Sequence, residues 1–329
     1  MDGIRRILVA VKEPAAKTLP AVRKAAELAK AFGAELVLFQ SIALPLYLEG
    51  NVSYMNGGLA DAERCTRDAC ERSLEAIACK LRRKGIEVCV STQFDYPIYE
   101  AVIREATRLK VDLIVAEQHH GHHAASLLHL VDWELLRLSP IPVLLVKDPR
   151  AYRRPKVLAA VDPDHTYAKP VWLDREILNA GQEIARALHG SLHAVHAYVP
   201  IPALAFPTGA ISEEDVETIH TRCRDKANKK LKGALRDAEI RSSVSHVIGR
   251  HPADAIAEVA SQIHSSLVVM GAISRSGFKR LLIGNTAERV LDRLSCDVLV
   301  IKPAHLVKKI PQKRRGAAHA RLRPHPLIV

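Results

Sequence analysis

The chain has 329 residues, 48% of them apolar, which suits two globular domains with a core in each. No apolar run approaches the roughly 18 residues that a membrane span requires, and the first one is too short for a signal peptide, which excludes a membrane-spanning protein and predicts a cytoplasmic one. The net charge of +12 comes without a recognisable nucleic-acid-binding module, which argues against a dedicated nucleic-acid-binding protein.

The chain repeats its own pattern after about 150 residues. Segments of the first half match segments of the second half in order and in their distribution of apolar residues. The matching pairs are 5–14 with 155–164, 25–42 with 181–199, 112–117 with 266–271, and 142–148 with 297–303. Pro97 and Pro252, which each open a predicted helix, lie 155 positions apart. The sequence therefore predicts two domains, 1–150 and 151–304, joined near 148–155.

The second half alternates apolar strands with amphipathic helices. Its predicted strands are 156–161, 191–198, 242–248, 266–270 and 297–302, and its predicted helices are 172–189, 213–238, 252–264 and 285–294. Continuous apolar runs are typical of strands that are buried on both faces, and the alternation predicts a doubly wound parallel sheet in each half. Ligands of such sheets bind beyond the carboxyl ends of the strands, where Asp162 and Gly271 end the first and fourth strands.

A glycine-containing segment follows the fourth of these strands. The apolar run stops at Gly271, a polar loop contains Gly277, and Gly284, Asn285 and Thr286 open the next helix. Glycine lets the backbone approach a ligand closely, and a helix N-terminus offers unpaired N–H groups and the positive end of its dipole. The segment predicts a phosphate site, and the alternative is a glycine-rich turn that binds nothing.

These residues resemble the universal stress protein family. Its nucleotide-binding members carry the motif Gly-x2-Gly-x9-Gly-(Ser/Thr) after the fourth strand and an aspartate at the end of the first. The spacing holds here from Gly271 through Ser274 to Gly284 and Asn285, with Asp162 in place. Serine replaces the second glycine of the motif, and asparagine replaces its hydroxyl residue.

The resemblance covers residues 3 to about 303 and implies two α/β domains of the adenine-nucleotide α-hydrolase-like type in a pseudo-twofold arrangement. It implies an internal dimer formed through the final strands of the two halves, with further homodimerisation left open. It also implies regulatory binding of ATP or a related adenine nucleotide, with or without Mg²⁺, in the second half, and a weak ATPase is the enzymatic alternative. The nucleotide-binding residues that it implies are Val161, Asp162, Ala197, Met270, Gly271, Ser274, Arg275, Gly277, Gly284, Asn285 and Thr286.

The first half departs from this pattern at the matching positions. Lys12 replaces the aspartate, and Glu117 replaces the first glycine, which places a carboxylate where phosphates would lie. This half is therefore predicted to have lost the nucleotide and to serve as a structural partner or to bind something else. The apolar loops 41–58 and 198–211 could cap an apolar ligand, but a mobile lid or an interface loop is the favoured interpretation.

A histidine run follows Glu117 and contains His119, His120, His122 and His123. Imidazoles at the end of a strand are suitable Zn²⁺ ligands, but no partner ligands stand at a fixed spacing. A solvated loop is the favoured interpretation, so no functional metal is predicted.

The C-terminal segment 305–329 has seven basic and no acidic residues. Subtracting these seven charges from +12 leaves +5 for the rest of the chain. Three prolines and little apolar periodicity predict a disordered tail. Such a tail can bind nucleic acid or anionic lipid without sequence specificity, and a solvated end is the favoured alternative.

Signatures of catalysis and of disulfide bonding are absent from the sequence. It contains no GxSxG, GxxxxGK[ST] or HExxH motif, so no catalytic residue is predicted. Its six cysteines include no CxxC pair and no zinc-finger spacing, which predicts reduced and mostly buried thiols.

Overall fold

A computed structural model of the chain describes the residues 3–42, 58–118, 133–164, 171–199, 213–272 and 285–302, without the side chains of 58–60, 171, 213 and 285–288. The chain divides into two compact units between Val143 and Leu144. We call the described residues 4–143 the first unit and 144–302 the second unit. None of the helices described is both long and apolar enough to cross a membrane.

The first unit is a parallel sheet with intervening helices. Its elements are β1 (Arg6–Ala10), α1 (Pro20–Phe32), β2 (Glu35–Ile42), α2 (Gly58–Arg82), β3 (Val88–Phe94), α3 (Ile98–Arg108), β4 (Leu113–Glu117) and a short α4 (133–138). The strand order is β3-β2-β1-β4, and each of these neighbouring pairs is parallel. Helix α1 begins with Pro20 and ends at Gly33, whose φ of 66° is a left-handed conformation that suits glycine.

The second unit has the same strand order as the first. Its elements are β5 (Val143–Val146, of which the last three residues belong here), β6 (Lys156–Val161), α5 (Val171–Ala187), β7 (Ser191–Tyr198), α6 (Glu213–Asp237), β8 (Val244–Gly249), α7 (Pro252–Gln262), β9 (Leu267–Gly271), α8 (Asn285–Arg293) and β10 (Asp297–Ile301). The strand order is β8-β7-β6-β9-β10-β5, with β6, β7, β8 and β9 in the places of β1, β2, β3 and β4. The β6–β7, β6–β9, β7–β8 and β9–β10 pairs are parallel.

The α/β fold predicted from the sequence is confirmed, and the predicted strands and helices of the second unit agree with the observed ones to within about two residues. Burial on both faces holds for the inner strands, as in β9, where four of the five residues are buried. It does not hold for β3 and β8, which lie at the outer ends of the two strand orders and are partly exposed. Val244 of β8, for example, is 51% exposed.

The cysteine prediction was wrong about burial. Cys296 is buried, but Cys65, Cys79 and Cys89 are exposed. Two of these exposed thiols lie on α2, which presents a largely solvent-facing surface, and the third lies on the outer strand β3. No described cysteine forms a disulfide.

Within the second unit, a buried carboxylate on β10 holds the segment that follows β5. Asp297 has no solvent exposure, and its Oδ1 atom accepts hydrogen bonds from the backbone N–H groups of Lys147 at 2.9 Å and Asp148 at 3.0 Å. The hydroxyl of Tyr152 donates to its other oxygen at 2.6 Å. This aspartate therefore fixes the first residues of the segment that joins β5 to β6.

The side chain of Lys147 adds to the same anchor. Its Nζ atom donates to the carbonyl oxygen of Leu291 and, at 2.6 Å, to that of Leu294, both at the C-terminal end of α8. A cation is favourable there because helix C-termini carry unpaired carbonyl groups and the negative end of the dipole. Burial lowers the pKa of the Lys147 ammonium group.

Candidate functional site

The carboxyl ends of the strands in the second unit form the edge at which a ligand of a doubly wound sheet would bind. From β6 the chain adds β7 and β8 on one side, and then β9 and β10 on the other side of β6. The switch point of the sheet, where the order of the strands reverses, is therefore at β6. In the register, Val161 lies opposite His196 of β7, and Ala160 lies opposite Met270 of β9. We call this edge the carboxyl edge of the second unit.

Five of the predicted binding residues lie at this edge. Val161 is the last residue of β6 and Asp162 follows it, Ala197 is the penultimate residue of β7, and Met270 and Gly271 end β9. The registers bring the three strand ends side by side. These positions, which are up to 110 apart in the sequence, therefore form one local surface.

The backbone at Asp162 is held by a buried carboxylate that the sequence analysis did not identify. The Asp162 N–H donates to Oδ1 of Asp174 at 3.1 Å. Asp174 lies in the first turn of α5 and is only 3% exposed. This contact fixes the point at which the chain leaves β6 and leaves the Asp162 side chain half-buried at the edge.

Gly271 has a packing role in addition to its place at the edge. A Cβ atom at this position would lie 2.9 Å from Cδ2 of Leu173 and 3.2 Å from Cδ1 of Ile177. Both of these α5 side chains are fully buried, so they have little room to move. A Cβ here would force these α5 side chains to shift, so glycine suits the close packing of α5 against β9 whether or not a phosphate approaches this backbone.

A polar cluster that sequence reasoning missed lies at the same edge. His196 is buried in β7, and its Nε2 atom lies 3.1 Å from Oδ2 of Asp164, which follows β6. The ammonium group of Lys230, on α6, contacts the other oxygen of Asp164. Burial acts to raise the pKa of Asp164, but Lys230 and His196 outweigh it and lower that pKa. The carboxylate is therefore ionised at neutral pH. A histidine within an otherwise apolar strand was the available sequence signal.

The corresponding edge of the first unit is built differently. The Nζ atom of Lys12, which follows β1, donates to the backbone carbonyl of Glu117 at the end of β4 at 2.9 Å. Nε2 of Gln40 on β2 donates to the carbonyl of Lys12 at 3.4 Å. Lys12 and Glu117 occupy the positions that Asp162 and Gly271 occupy in the second unit. A lysine side chain thus connects the two strand ends that border the switch point.

Several predicted features lie outside the described residues. They are Ser274, Arg275, Gly277 and Gly284 of the glycine segment, the histidine run His119, His120, His122 and His123, the basic tail 305–329, and most of the two apolar loops. Helix α8 begins with Asn285 and Thr286, whose side chains are also outside the description. Within the part of the chain that is described, no group of three or more metal-ligating side chains occurs.

Comparison with protein-family models identifies the family of the chain. The model of the universal stress protein family matches twice, over residues 3–147 and 155–302. The chain belongs to the universal stress protein family. Membership in this family places it among stress-response proteins, and the two matches show two family domains in tandem.

Curated relatives are similar over most of their length. Universal stress protein E of Salmonella typhi is 27% identical over 316 residues, which cover 90% of this chain and 94% of that protein. Universal stress protein E of Escherichia coli K12 is 30% identical over 224 residues, covering 67% of this chain and 69% of that protein. The tandem arrangement is thus shared with these relatives.

Solved structures support the same fold. Protein PA1789 of Pseudomonas aeruginosa PAO1 aligns with a TM-score of 0.68 and 24% identity, covering 92% of this chain and 94% of that one. A universal stress protein of Archaeoglobus fulgidus aligns with a TM-score of 0.64 and 18% identity, covering 91% and 98%. At these identities the likeness concerns the fold alone.

Two histidines of this family member form a stacked pair away from the carboxyl edge. Nδ1 of His193, on β7, lies 3.1 Å from Nε2 of His246, on β8, and the ring centroids are 5.4 Å apart. Burial, together with His246 and Lys156, lowers the pKa of His193, and burial lowers the pKa of His246. Both rings are therefore neutral at pH 7.

We expect this pair to make the second unit sensitive to acid. Because both folded-state pKa values lie below the ordinary 6.5, the unfolded chain binds more protons as the pH falls below about 6.5, and the free energy of unfolding decreases there. His246→Gln removes one titrating ring and should make this decrease shallower. Urea unfolding at a series of pH values between about 8 and about 5 measures the slope. Equal slopes for the variant and the unmodified chain would contradict the prediction.

Proposed function

We propose that the second unit binds ATP or a related adenine nucleotide at its carboxyl edge, and that the chain is a cytoplasmic regulatory protein of the stress response. The observation that carries the proposal is the position of Asp162 and Gly271 together at the switch point of the sheet. They have the spacing from Gly284 and Asn285 that resembles the nucleotide-binding members of the family. The Asp162 carboxylate is a suitable acceptor for ribose hydroxyl groups.

The first unit supports the proposal by contrast. There the Lys12 side chain connects β1 and β4 through the Glu117 carbonyl at 2.9 Å, and so it lies across the matching crevice. The Glu117 side chain adds a carboxylate where phosphates would have to come, and like charges repel. We therefore propose that one nucleotide binds per chain, with Mg²⁺ accompanying its phosphates, and that the first unit has a structural role or takes a different ligand.

Calorimetric titration of the full chain with Mg²⁺–ATP tests the proposal. We expect a stoichiometry of one. Asp162→Ala should weaken binding by about 10- to 100-fold, because a hydrogen bond to a charged group is lost. Lys12→Ala, at the matching position of the first unit, is the control and should leave the affinity unchanged. Two nucleotides per chain, or equal affinity in the Asp162 variant, would refute this assignment.

A regulatory binding protein and a weak ATPase differ in turnover. Of the described carboxylates at the carboxyl edge, Asp164 is engaged by His196 and Lys230, and Asp162 is assigned to the ribose hydroxyl groups, so neither is left as a base for activating water on a phosphate. We therefore expect phosphate release at the background rate when the site is saturated with Mg²⁺–ATP. Steady-state release well above background, lost in Asp162→Ala, would establish the enzymatic alternative.

A further inference from the structure

The imidazole of His196 occupies a position at which a ligand could be recognised. It lies on β7 opposite Val161 and directly before Ala197, so it belongs to the carboxyl edge of the second unit. Its side chain is only 1% exposed. A buried polar side chain is retained at low cost only when its donors and acceptors are matched.

One ring nitrogen of His196, Nε2, has a hydrogen-bond partner. Nε2 lies 3.1 Å from Oδ2 of Asp164, which also pairs with Lys230. A carboxylate can only accept hydrogen bonds, so this contact requires the proton to be on Nε2. In the tautomer with its proton on Nε2, the lone pair lies on Nδ1, which is then an acceptor. The ion pair with Lys230 keeps Asp164 in place and so fixes this tautomer and the orientation of the ring.

The other ring nitrogen, Nδ1, has no hydrogen-bond partner among the described residues. Nδ1 of His196 is buried, and within the described chain no donor reaches it. An acceptor left in this state typically costs about 1–3 kcal/mol, unless another molecule supplies the hydrogen bond. Gln40, at the matching position of the first unit, likewise has a buried Oε1 atom that receives no hydrogen bond from a described residue. Both units thus place a buried acceptor at this register position.

We propose that Nδ1 of His196 accepts a hydrogen bond from an O–H or N–H group of the bound nucleotide, which makes His196 a specificity residue of the second unit. This inference rests on the proposed function. The nucleoside has two sources of such a donor, the ribose hydroxyls and the exocyclic amine of adenine. A buried acceptor discriminates strongly, because a ligand without the donor leaves the acceptor unpaired on binding.

Two replacements distinguish the roles of the two ring nitrogens. Gln places its amide nitrogen near the position of Nε2, so His196→Gln keeps a donor to Asp164 and loses the acceptor at Nδ1. Asn places its amide oxygen near the position of Nδ1, so His196→Asn keeps the acceptor and loses the Asp164 contact. We expect Mg²⁺–ATP to bind at least tenfold more weakly to His196→Gln, and within about threefold of the unmodified affinity to His196→Asn. Gln40→Leu in the first unit is the matched control and should leave the affinity unchanged.

Nucleotide analogues identify the donor. If a ribose hydroxyl donates, 2′-deoxy-ATP or 3′-deoxy-ATP should bind at least tenfold more weakly than ATP to the unmodified chain, and no more weakly than ATP to His196→Gln. If the adenine amine donates, inosine triphosphate should show this behaviour instead. A second readout needs no variant. The ¹⁵N resonance of Nδ1 of His196 should shift upfield when Mg²⁺–ATP is added, as expected when a lone pair accepts a hydrogen bond.

The outcomes separate this inference from the proposed function. If the unmodified chain binds no adenine nucleotide, the proposed function fails. If the unmodified chain and His196→Gln bind ATP equally and Nδ1 does not shift, the function stands and the inference fails, which would leave a buried water as the partner of Nδ1. Loss of binding in His196→Asn but not in His196→Gln would also overturn it, since the role of the ring would then be to hold Asp164.

Discussion

We expect the replacement Asp297→Ala to lower the free energy of unfolding of the second unit by about 3–5 kcal/mol. The carboxylate is fully buried and accepts three hydrogen bonds of 2.6–3.0 Å, two of them from backbone N–H groups. Its removal leaves the N–H groups of Lys147 and Asp148 without an acceptor in a site where the Lys147 ammonium is also buried. Buried donors without an acceptor oppose folding, and the buried Lys147 ammonium also loses one nearby negative charge.

The chain offers reporters and graded controls for this measurement. It has two tryptophans, so urea unfolding in a Trp133→Phe background leaves Trp172 as the fluorophore of the second unit. Tyr152→Phe removes one of the three hydrogen bonds and should cost about 1–2 kcal/mol. Arg150, which pairs with Asp148 at the surface, should be replaceable by alanine without a measurable change. A loss below about 1 kcal/mol in Asp297→Ala would mean that water replaces the carboxylate and that the anchor contributes little.

The strand ends at the carboxyl edge could be predicted from the sequence because the signal there is local. An apolar run that stops at Gly271, or at Asp162, marks the end of a buried strand wherever the rest of the chain lies. The repeat then assigned Lys12 and Glu117 to the same positions in the first half. That these two residues contact each other could not be predicted, since the Lys12 side chain meets a backbone carbonyl, which leaves no mark in the residue pattern.

The contacts between residues that are distant in the sequence could not be predicted, for a physical reason. Asp164, which follows β6, contacts His196 of β7 across 32 positions and Lys230 of α6 across 66. A lysine on an amphipathic helix is most often simply solvated, so only the packed fold identifies the one that contacts a carboxylate. The packing preference for glycine at position 271 is similar, because it depends on the depth at which α5 lies against β9.

In the first unit, we expect Arg104→Met to cost about 3–5 kcal/mol of the free energy of unfolding. The Arg104 guanidinium forms two hydrogen bonds of 2.9 Å to the carboxylate of Asp95 and one of 2.8 Å to Glu100. The side chains of the three residues are 9%, 0% and 10% exposed, so the network is almost dry. Methionine fills a similar volume but leaves two buried carboxylates without their cation.

A conservative variant distinguishes this charge effect from a loss of packing. Arg104→Lys keeps the charge but not the planar fork, and its deficit should be intermediate. Arg64→Ala, which breaks an exposed pair with Asp61, should cost less than about 0.5 kcal/mol. With Trp133 as the reporter in a Trp172→Phe background, equal deficits in Arg104→Lys and Arg104→Met would show that the positive charge at this position contributes nothing. In that case the buried ion pair would not be what holds β3 to α3.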